Sequence, residues 1–138
     1  MTEYRYRRQV QFAETDLAGI VHFSWYFRYM EEAEHALWRA AGLSIAPAEA
    51  TYGWPRVAAA FDYKSPLRFE DEFDVGVRIA KVSRRTIQYG FTLRRDTTVL
   101  GHGLLTAACV TRAPDGALTA IEVPAGILDR LRGAMSGG

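Results

Sequence analysis

A carboxylate just ahead of a long amphipathic helix is the pairing in this sequence best suited to chemistry. Asp16 lies in residues 12–23 (FAETDLAGIVHF), which we interpret as a strand end, a glycine-containing turn and the entry to the helix. A helix N-terminus presents unpaired backbone N–H groups and a partial positive charge, and both polarise a carbonyl oxygen. A nearby carboxylate then acts on the carbonyl carbon or on water. The combination predicts acyl chemistry.

Two interpretations of the acidic residues stay open at this level. Aspartate is common in turns and at helix starts, where its carboxylate accepts backbone hydrogen bonds, so Asp16 is either such a turn residue or a catalytic carboxylate. Glu14 is expected to be structural or solvent-exposed. Cys109 sits in an apolar stretch and is expected in the core rather than as a nucleophile.

Composition excludes several classes of protein. The 138 residues predict one domain, 1–138, and the 49% hydrophobic and 24% charged fractions are typical of a globular chain. A formal net charge of +1 provides no global field for nucleic acid or an anionic bilayer. One cysteine cannot form an internal disulfide, no secretory signal is recognisable, and no apolar run approaches the roughly 18 residues of a membrane span. We expect a soluble cytoplasmic protein without nucleic-acid or membrane partners.

The first half of the chain predicts one strand and one helix that position Asp16. Alternating residues predict a strand over Tyr4–Phe12 with one buried face. Ser24 is the predicted N-cap of a helix that runs to Ala41, where Gly42 stops it. Residues 43–55 predict an irregular connection.

The second half predicts an antiparallel meander. Strands are expected over Val57–Lys64, from Phe73 to Ile79, from Ile87 to Leu93 and over Val99–Arg112. A turn at residues 113–116 leads to a short strand at 117–121, a brief terminal helix after Pro124, and a loose tail at 136–138. The fold class is therefore α+β, with a curled antiparallel sheet of five to six strands wrapped around one long helix.

The order of elements and two motifs resemble the 4-hydroxybenzoyl-CoA thioesterase family of hotdog-fold proteins. The first motif combines Thr15-Asp16, residues 18–23 (AGIVHF) and the helix residues Tyr26, Tyr29, Glu31 and Ala33. The second, weaker motif combines residues 63–67 (YKSPL) with residues 71–73 (DEF). The likeness covers most of the chain, and the first motif is fairly specific because it fixes an acid, a glycine, two aliphatics and an aromatic in one register.

The resemblance implies a thioesterase that hydrolyses acyl-CoA, with Asp16 at the position of the catalytic carboxylate. In the family this group is either the nucleophile that forms a mixed anhydride or the general base for water, and the backbone N–H matching Phe23 meets the thioester carbonyl. Gly19 lies in the turn between Asp16 and Phe23 and is expected to take part in substrate binding. His22 either has a functional role, in which it orients the water or the thioester or tunes Asp16, or is a partly buried helix-entry residue.

Further binding residues follow from the helix and from a basic turn. Tyr26 lines the substrate cleft or is a core or subunit contact, and Glu31 lies where some relatives line the acyl pocket but is equally a solvated or interface charge. Residues Ser83, Arg84 and Arg85 form the candidate patch for the phosphates of CoA, since arginine suits phosphate; the alternative is a solvated hairpin turn. No third ligand is spaced to join Asp16 and His22, so neither a metal nor a cofactor is expected.

The resemblance also implies a homodimer or homotetramer with its active sites at the subunit interface. Two other functions stay open, namely an acyl-carrier-protein thioesterase and a non-catalytic acyl-CoA-binding module. A hotdog dehydratase ranks last, because His35 next to Glu34 fits its expected arrangement poorly.

Overall fold

One long helix lies against a five-stranded antiparallel sheet in the computed structural model, which describes residues 2–136. The central helix α1 spans Trp25–Ala40, and a second helix, α2, spans Ala125–Ser136 near the C-terminus. Of the predicted tail, Ser136 ends α2, and residues 137–138 lie outside the described part of the chain. Within residues 2–136, neither helix has the length and apolar character needed to cross a membrane.

The five-stranded sheet confirms the predicted curled architecture. Its strands are β1 (Tyr4–Gln9), β3 (Arg56–Tyr63), β4 (Glu72–Val82), β5 (Thr86–Arg95) and β6 (Thr98–Ala108). The order across the sheet is β1-β4-β5-β6-β3, with all neighbours antiparallel, so β1 and β3 form the two edges. The inward alternate residues of the central strands and one face of α1 make the core.

Three short strands form a second small sheet that the sequence patterns did not predict fully. Strand β2 (Tyr52–Gly53) falls inside the segment expected to be irregular, and it pairs with β7 (Val110–Arg112), which pairs in turn with β8 (Leu118–Ala120). The predicted strand Val99–Arg112 is therefore wrong as one element. The chain leaves the large sheet at Cys109, whose buried side chain confirms the core assignment, and burial raises the pKa of its thiol.

Strand β1 ends earlier than predicted, and this change shapes the segment that carries Asp16. Residues Phe12–Glu14 form a 3₁₀ turn instead of strand, because the Glu14 carboxylate accepts the backbone N–H of Gln11 and closes the turn. Phe12, expected on the inward face, is 75% exposed. The turn redirects the chain toward the start of α1.

Candidate active site

Asp16 opens a tight turn whose geometry is set by its own backbone and carboxylate. Its carbonyl oxygen accepts the Gly19 N–H at 3.0 Å, and its Oδ1 accepts the Ala18 N–H at 2.8 Å. Gly19 has φ of +80°, the left-handed region that glycine adopts without a Cβ clash. The turn role that aspartates often play thus occupies one oxygen only. Among the described residues, Oδ2 has no hydrogen-bond donor, so it is available for chemistry.

Asp16 lines a cavity of about 460 Å³ that is open to solvent. The loop, the start of α1 and the end of β3 all contribute to it. We call it the Asp16 pocket; its walls are Asp16, Ile20, Val21, Phe23, Tyr26, Tyr63, Lys64, Ser65 and Pro66. The structure therefore brings together three of the predicted site residues, Asp16, Phe23 and Tyr26.

The backbone around Phe23 is held from one side and open on the other. Tyr63 donates its hydroxyl to the Phe23 carbonyl at 2.9 Å, while the Phe23 N–H has no acceptor among residues 2–136. Ser24 occupies the predicted N-cap position, but its side chain makes no capping bond to the helix. The Phe23 amide next to the start of α1 is therefore an unoccupied donor beside the pocket.

His22 lies next to this site but not in the wall of the pocket. Its Nδ1 is 2.8 Å from the Ser24 Oγ and accepts the Ser24 N–H at 3.3 Å, and its ring stacks on Phe23 with centroids 4.6 Å apart. Its side chain is exposed, so the expectation of a partly buried residue is wrong. The contact with Ser24 also explains why that side chain does not cap the helix.

An ion-pair cluster, absent from the predicted site, lies beneath the loop. We call Arg8, Glu14, Tyr29 and Glu32 the loop-root cluster. Arg8 donates to both carboxylate oxygens of Glu14 and to Glu32, and Tyr29 donates its hydroxyl to Glu14 at 2.8 Å. Glu14 is only 3% exposed, so the expectation of a solvated residue is wrong and the structural alternative is confirmed.

Burial and hydrogen bonding act in opposite directions on this cluster. Burial alone would raise the pKa of Glu14, but hydrogen bonds from Arg8, the Gln11 N–H and Tyr29 outweigh it and lower that pKa. Burial and the bond to Glu14 raise the pKa of the Tyr29 hydroxyl. Tyr29 therefore stays a donor and Glu14 an anion.

Glu31 does not line the Asp16 pocket. Its carboxylate lies 3.4 Å from the guanidinium of Arg56, which also pairs with the fully buried Glu34. Arg28, one turn earlier on α1, is 3.9 Å away. Within one subunit Glu31 is thus a partner of the edge strand β3; its predicted role toward the acyl group stays a prediction that requires a second subunit.

The basic turn Ser83–Arg85 lies at the other end of the sheet from the Asp16 pocket. The strand ladders align Val82 with Arg56, the first residue of β3, whereas the pocket uses Tyr63, the last residue of β3. Arg84 pairs with Glu122 at 3.2 Å, and both side chains are well exposed. Within one subunit the turn does not reach the pocket.

Sequence reasoning missed two contributors to this region. Tyr63 belongs to the second motif, yet nothing in its strand register reveals that its hydroxyl holds the Phe23 carbonyl. Arg8 did carry a signal, because it occupies an inward alternate position of β1, where a charged residue requires a buried partner.

Among residues 2–136, no group of three or more histidine, cysteine or acidic side chains is arranged to hold a metal.

Comparison with known proteins identifies similar sequences and folds. The sequence model of the thioesterase-like superfamily matches residues 10–131. A "Putative esterase" of Aquifex aeolicus is 39% identical over 93 residues, which cover 66% of this chain and 72% of that protein. A 1,4-dihydroxy-2-naphthoyl-CoA hydrolase of Parasynechococcus marenigrum is 31% identical over 107 residues, covering 71% of this chain and 70% of that protein.

The fold is similar to that of a solved thioesterase. A crystal structure of a 4-hydroxybenzoyl-CoA thioesterase mutant, complexed with 4-hydroxybenzoyl-CoA, superposes with a TM-score of 0.85. The alignment covers 95% of this chain and 99% of that one at 19% sequence identity. This likeness concerns the arrangement of the sheet and helix, whereas the sequence matches carry the family assignment.

Proposed function

The chain is a thioesterase of the thioesterase-like superfamily, and from that premise we propose that it hydrolyses an acyl-CoA thioester to the free acid and CoA in the Asp16 pocket. The observation that carries this proposal is the meeting, in one open cavity, of a carboxylate with a free oxygen and the start of α1. Attack on an acyl carbon needs a nucleophile or base, together with donors for the oxygen that becomes negative.

Asp16 supplies the attack in either of two ways. As a nucleophile, its free Oδ2 forms a bond to the thioester carbon, the carbon–sulfur bond breaks, the thiolate leaves and takes a proton from water, and water hydrolyses the mixed anhydride. As a general base, the carboxylate takes a proton from water while the resulting hydroxide attacks the same carbon. The carbon–sulfur bond then breaks, and the leaving thiolate takes that proton from the Asp16 carboxyl group. Both routes leave Oδ1 on the Ala18 N–H, so the turn keeps its shape during catalysis.

The Phe23 amide is the proposed donor to the developing oxyanion. It has no intramolecular acceptor within the described chain, and the adjacent α1 adds the positive end of its dipole. Tyr63 supports this geometry from the carbonyl side, since its hydroxyl fixes the peptide that follows. Removing one such donor typically slows turnover by about a hundredfold to a thousandfold in acyl transfer.

The walls of the pocket favour an aromatic acyl group. Three of them are aromatic, namely Phe23, Tyr26 and Tyr63, and rings pack well in edge and offset contacts with such walls. The naphthoyl-CoA hydrolase to which this chain is similar acts on a substrate of that kind by its name. We therefore expect aromatic acyl-CoA esters to give the highest kcat/KM in a panel with short-chain and long-chain esters.

The pocket is proposed to lie at an interface between two copies of the chain. Strand β3 is an edge strand with exposed Val57 and a run of exposed alanines at 58–60, and such an edge is a template for another strand. Antiparallel pairing of two β3 strands would bring the Ser83–Arg85 turn and Glu31 of the second copy to the end of the sheet that holds Asp16. Binding roles for these residues would then depend on the second subunit.

The decisive test is Asp16→Asn, which keeps an oxygen for the Ala18 N–H but removes the charge. We expect turnover to fall by about four orders of magnitude while folding and CoA binding persist. The matched control is Asp115→Asn, because Asp115 also accepts a backbone N–H, from Ala117 at 3.0 Å, in an exposed glycine turn. Equal activities of the two variants on the acyl-CoA panel would refute the assignment.

A further inference from the structure

The buried carboxylate of Glu14 lies at the root of the loop that carries Asp16. We infer that Glu14 is a positioning residue, which Arg8 and Tyr29 hold in place so that Asp16 and the Phe23 amide stay on one wall of the pocket. This inference rests on the proposed function for its effect on catalysis, but its structural part can be measured separately.

The Glu14 carboxylate accepts four hydrogen bonds. Oε1 accepts the Gln11 N–H at 3.0 Å, the Tyr29 hydroxyl at 2.8 Å and one N–H of Arg8 at 2.9 Å, while Oε2 accepts a second N–H of Arg8. These four hydrogen bonds, three at Oε1 and one at Oε2, equal the number of lone-pair sites that a carboxylate typically offers, about four. A group with this many partners has one orientation, so its backbone is fixed as well.

The hydrogen-bond donors of Arg8 are all in use as well. Its five N–H donors go to Glu14, to Glu32 and to the Gln9 carbonyl, and its guanidinium lies 5.0 Å from the centre of the Tyr29 ring. Strand β1, the 3₁₀ turn and α1 therefore meet at one carboxylate. Because one face of α1 lies in the core and Tyr4 and Tyr6 of β1 pack against it, Glu14 is tied to elements outside the loop.

The backbone of Glu14 passes this constraint to both catalytic positions. Its carbonyl accepts the His22 N–H at 2.9 Å, and the next pair, Thr15 and Val21, forms an antiparallel bridge. Asp16 follows Glu14 by two residues, and Phe23 follows His22 by one. The two segments that enter and leave the turn are thus joined by a backbone hydrogen bond at Glu14, the residue whose side chain the loop-root cluster holds.

A purely stabilising role would not require charges here. Well-packed apolar residues of similar volume often match or exceed the stability of a buried ion pair, whereas in some proteins buried polar groups specify a unique arrangement. The requirement at this place is orientation, since displacements of about 1 Å in a catalytic group reduce rates substantially. The connectivity of Glu14 to the turn is what gives the cluster its proposed role.

The test compares two variants that each remove one buried hydroxyl. Tyr29→Phe deletes the donor to Glu14 and keeps the ring against Arg8, while Tyr89→Phe deletes a hydroxyl that accepts the Trp38 indole N–H at 3.0 Å far along α1 from the loop. Both residues are fully buried. Amide hydrogen exchange is measured on the intact protein at the Asp16 and His22 N–H groups, together with kcat and KM on the preferred acyl-CoA ester.

Tyr29→Phe should raise exchange at the Asp16 and His22 amides about tenfold, as expected for the loss of one hydrogen bond to a charged group, and should lower kcat about tenfold with KM within twofold. Tyr89→Phe should change neither. Unchanged exchange at both amides in Tyr29→Phe would overturn the inference whatever the activity. Faster exchange without any acyl-CoA turnover in the wild-type protein would uphold the positioning of the loop and reject the proposed function instead.

Discussion

Each of the two edge strands contributes one arginine that pairs with two glutamates, yet the two clusters hold different parts of the molecule. On β1, Arg8 binds Glu14 and Glu32; on β3, Arg56 binds Glu34 and Glu31. In each, one carboxylate is almost fully buried. The chemistry is the same and the connectivity differs, because both acids of the second cluster belong to α1, whereas Glu14 belongs to the loop before it.

The effect of a buried ion pair on the structure thus depends on which backbone segments carry its two partners. The Arg56 cluster joins α1 to a strand that is already paired with β6 over most of its length, so it adds only to their docking. The loop-root cluster joins the core to a segment that has no ladder of its own beyond the single bridge of Thr15 and Val21. The same type of ion pair is therefore proposed to position a site in one place, while it reinforces the core in the other.

The largest expected effect comes from removing each arginine while keeping a side chain of similar length. Arg8→Met and Arg56→Met both leave a buried carboxylate without its cation, so each should cost about 3–5 kcal/mol in free energy of unfolding. Chemical denaturation measures this loss.

Hydrogen exchange then separates the two clusters. Faster exchange should appear at the amides of residues 15–23 in Arg8→Met and along the β3–β6 ladder in Arg56→Met. If both variants loosened the same amides, the contrast between the clusters would be wrong.

A smaller effect is expected from pH. Because the pKa of Glu14 is lower in the folded chain than its ordinary value of 4.5, its ionised form stabilises the fold above that pH, and this contribution disappears as pH falls through the lowered pKa. The difference in free energy of unfolding between wild type and Glu14→Gln should narrow below pH 4.5, by at most about 1.4 kcal/mol per pH unit. Denaturation at a series of pH values measures it.

The control for this pH series is Glu49→Gln, which changes an exposed side chain. A gap between wild type and Glu14→Gln that stayed constant between neutral and acid pH would remove the electrostatic account of the loop-root cluster.

The smallest change in stability is expected at the exposed arginines, which contrast with both buried clusters. Replacing Arg84 and Arg85 by alanine breaks only a solvent-exposed pair with Glu122, so the free energy of unfolding should change by less than about 0.5 kcal/mol. If the turn holds CoA phosphates, KM for acyl-CoA should rise about threefold to tenfold at constant kcat. Steady-state kinetics measures both parameters.

Mixing this double variant with Asp16→Asn tests the proposed interface as well. A mixed dimer would contain one intact site if Asp16 and the arginines come from different subunits, so activity at low substrate concentration should exceed that of either variant. An unchanged KM in the double variant would show that Arg84 and Arg85 do not bind CoA and belong to a solvated turn.

The sequence predicted the large elements well because their signals are local. The alternation in β4 and β5 and the spacing of Tyr26, Tyr29 and Leu37 in α1 report directly which face is buried. The break at Cys109 was missed because an apolar run looks the same whether it stays in one sheet or crosses to another. The partner strands that decide this lie far away in sequence.

The site was predictable only in part for a related reason. Asp16, Phe23 and Tyr26 share one short segment, so their proximity follows from a turn and a helix start. The arginines Arg8 and Arg56, which pair with Glu14 and Glu31, come from β1 and β3, and no spacing along the chain reveals these pairs. Arg8 on an inward position was the one available hint that a buried acid had to exist.

The many hydrogen bonds of the loop-root cluster distinguish it from the rim of the Asp16 pocket, whose side chains are freer to be changed. A change at any one of Arg8, Glu14 and Tyr29 removes a hydrogen-bond partner from another, so a redesign that keeps the arrangement would exchange the three as a set. Lys64 and Ser65 on the pocket rim contribute backbone hydrogen bonds to Leu100, and no side-chain bond of theirs is seen within residues 2–136. If the Asp16 pocket binds the acyl group as proposed, its preference is most readily redesigned from the rim, with the turn that carries Asp16 left intact.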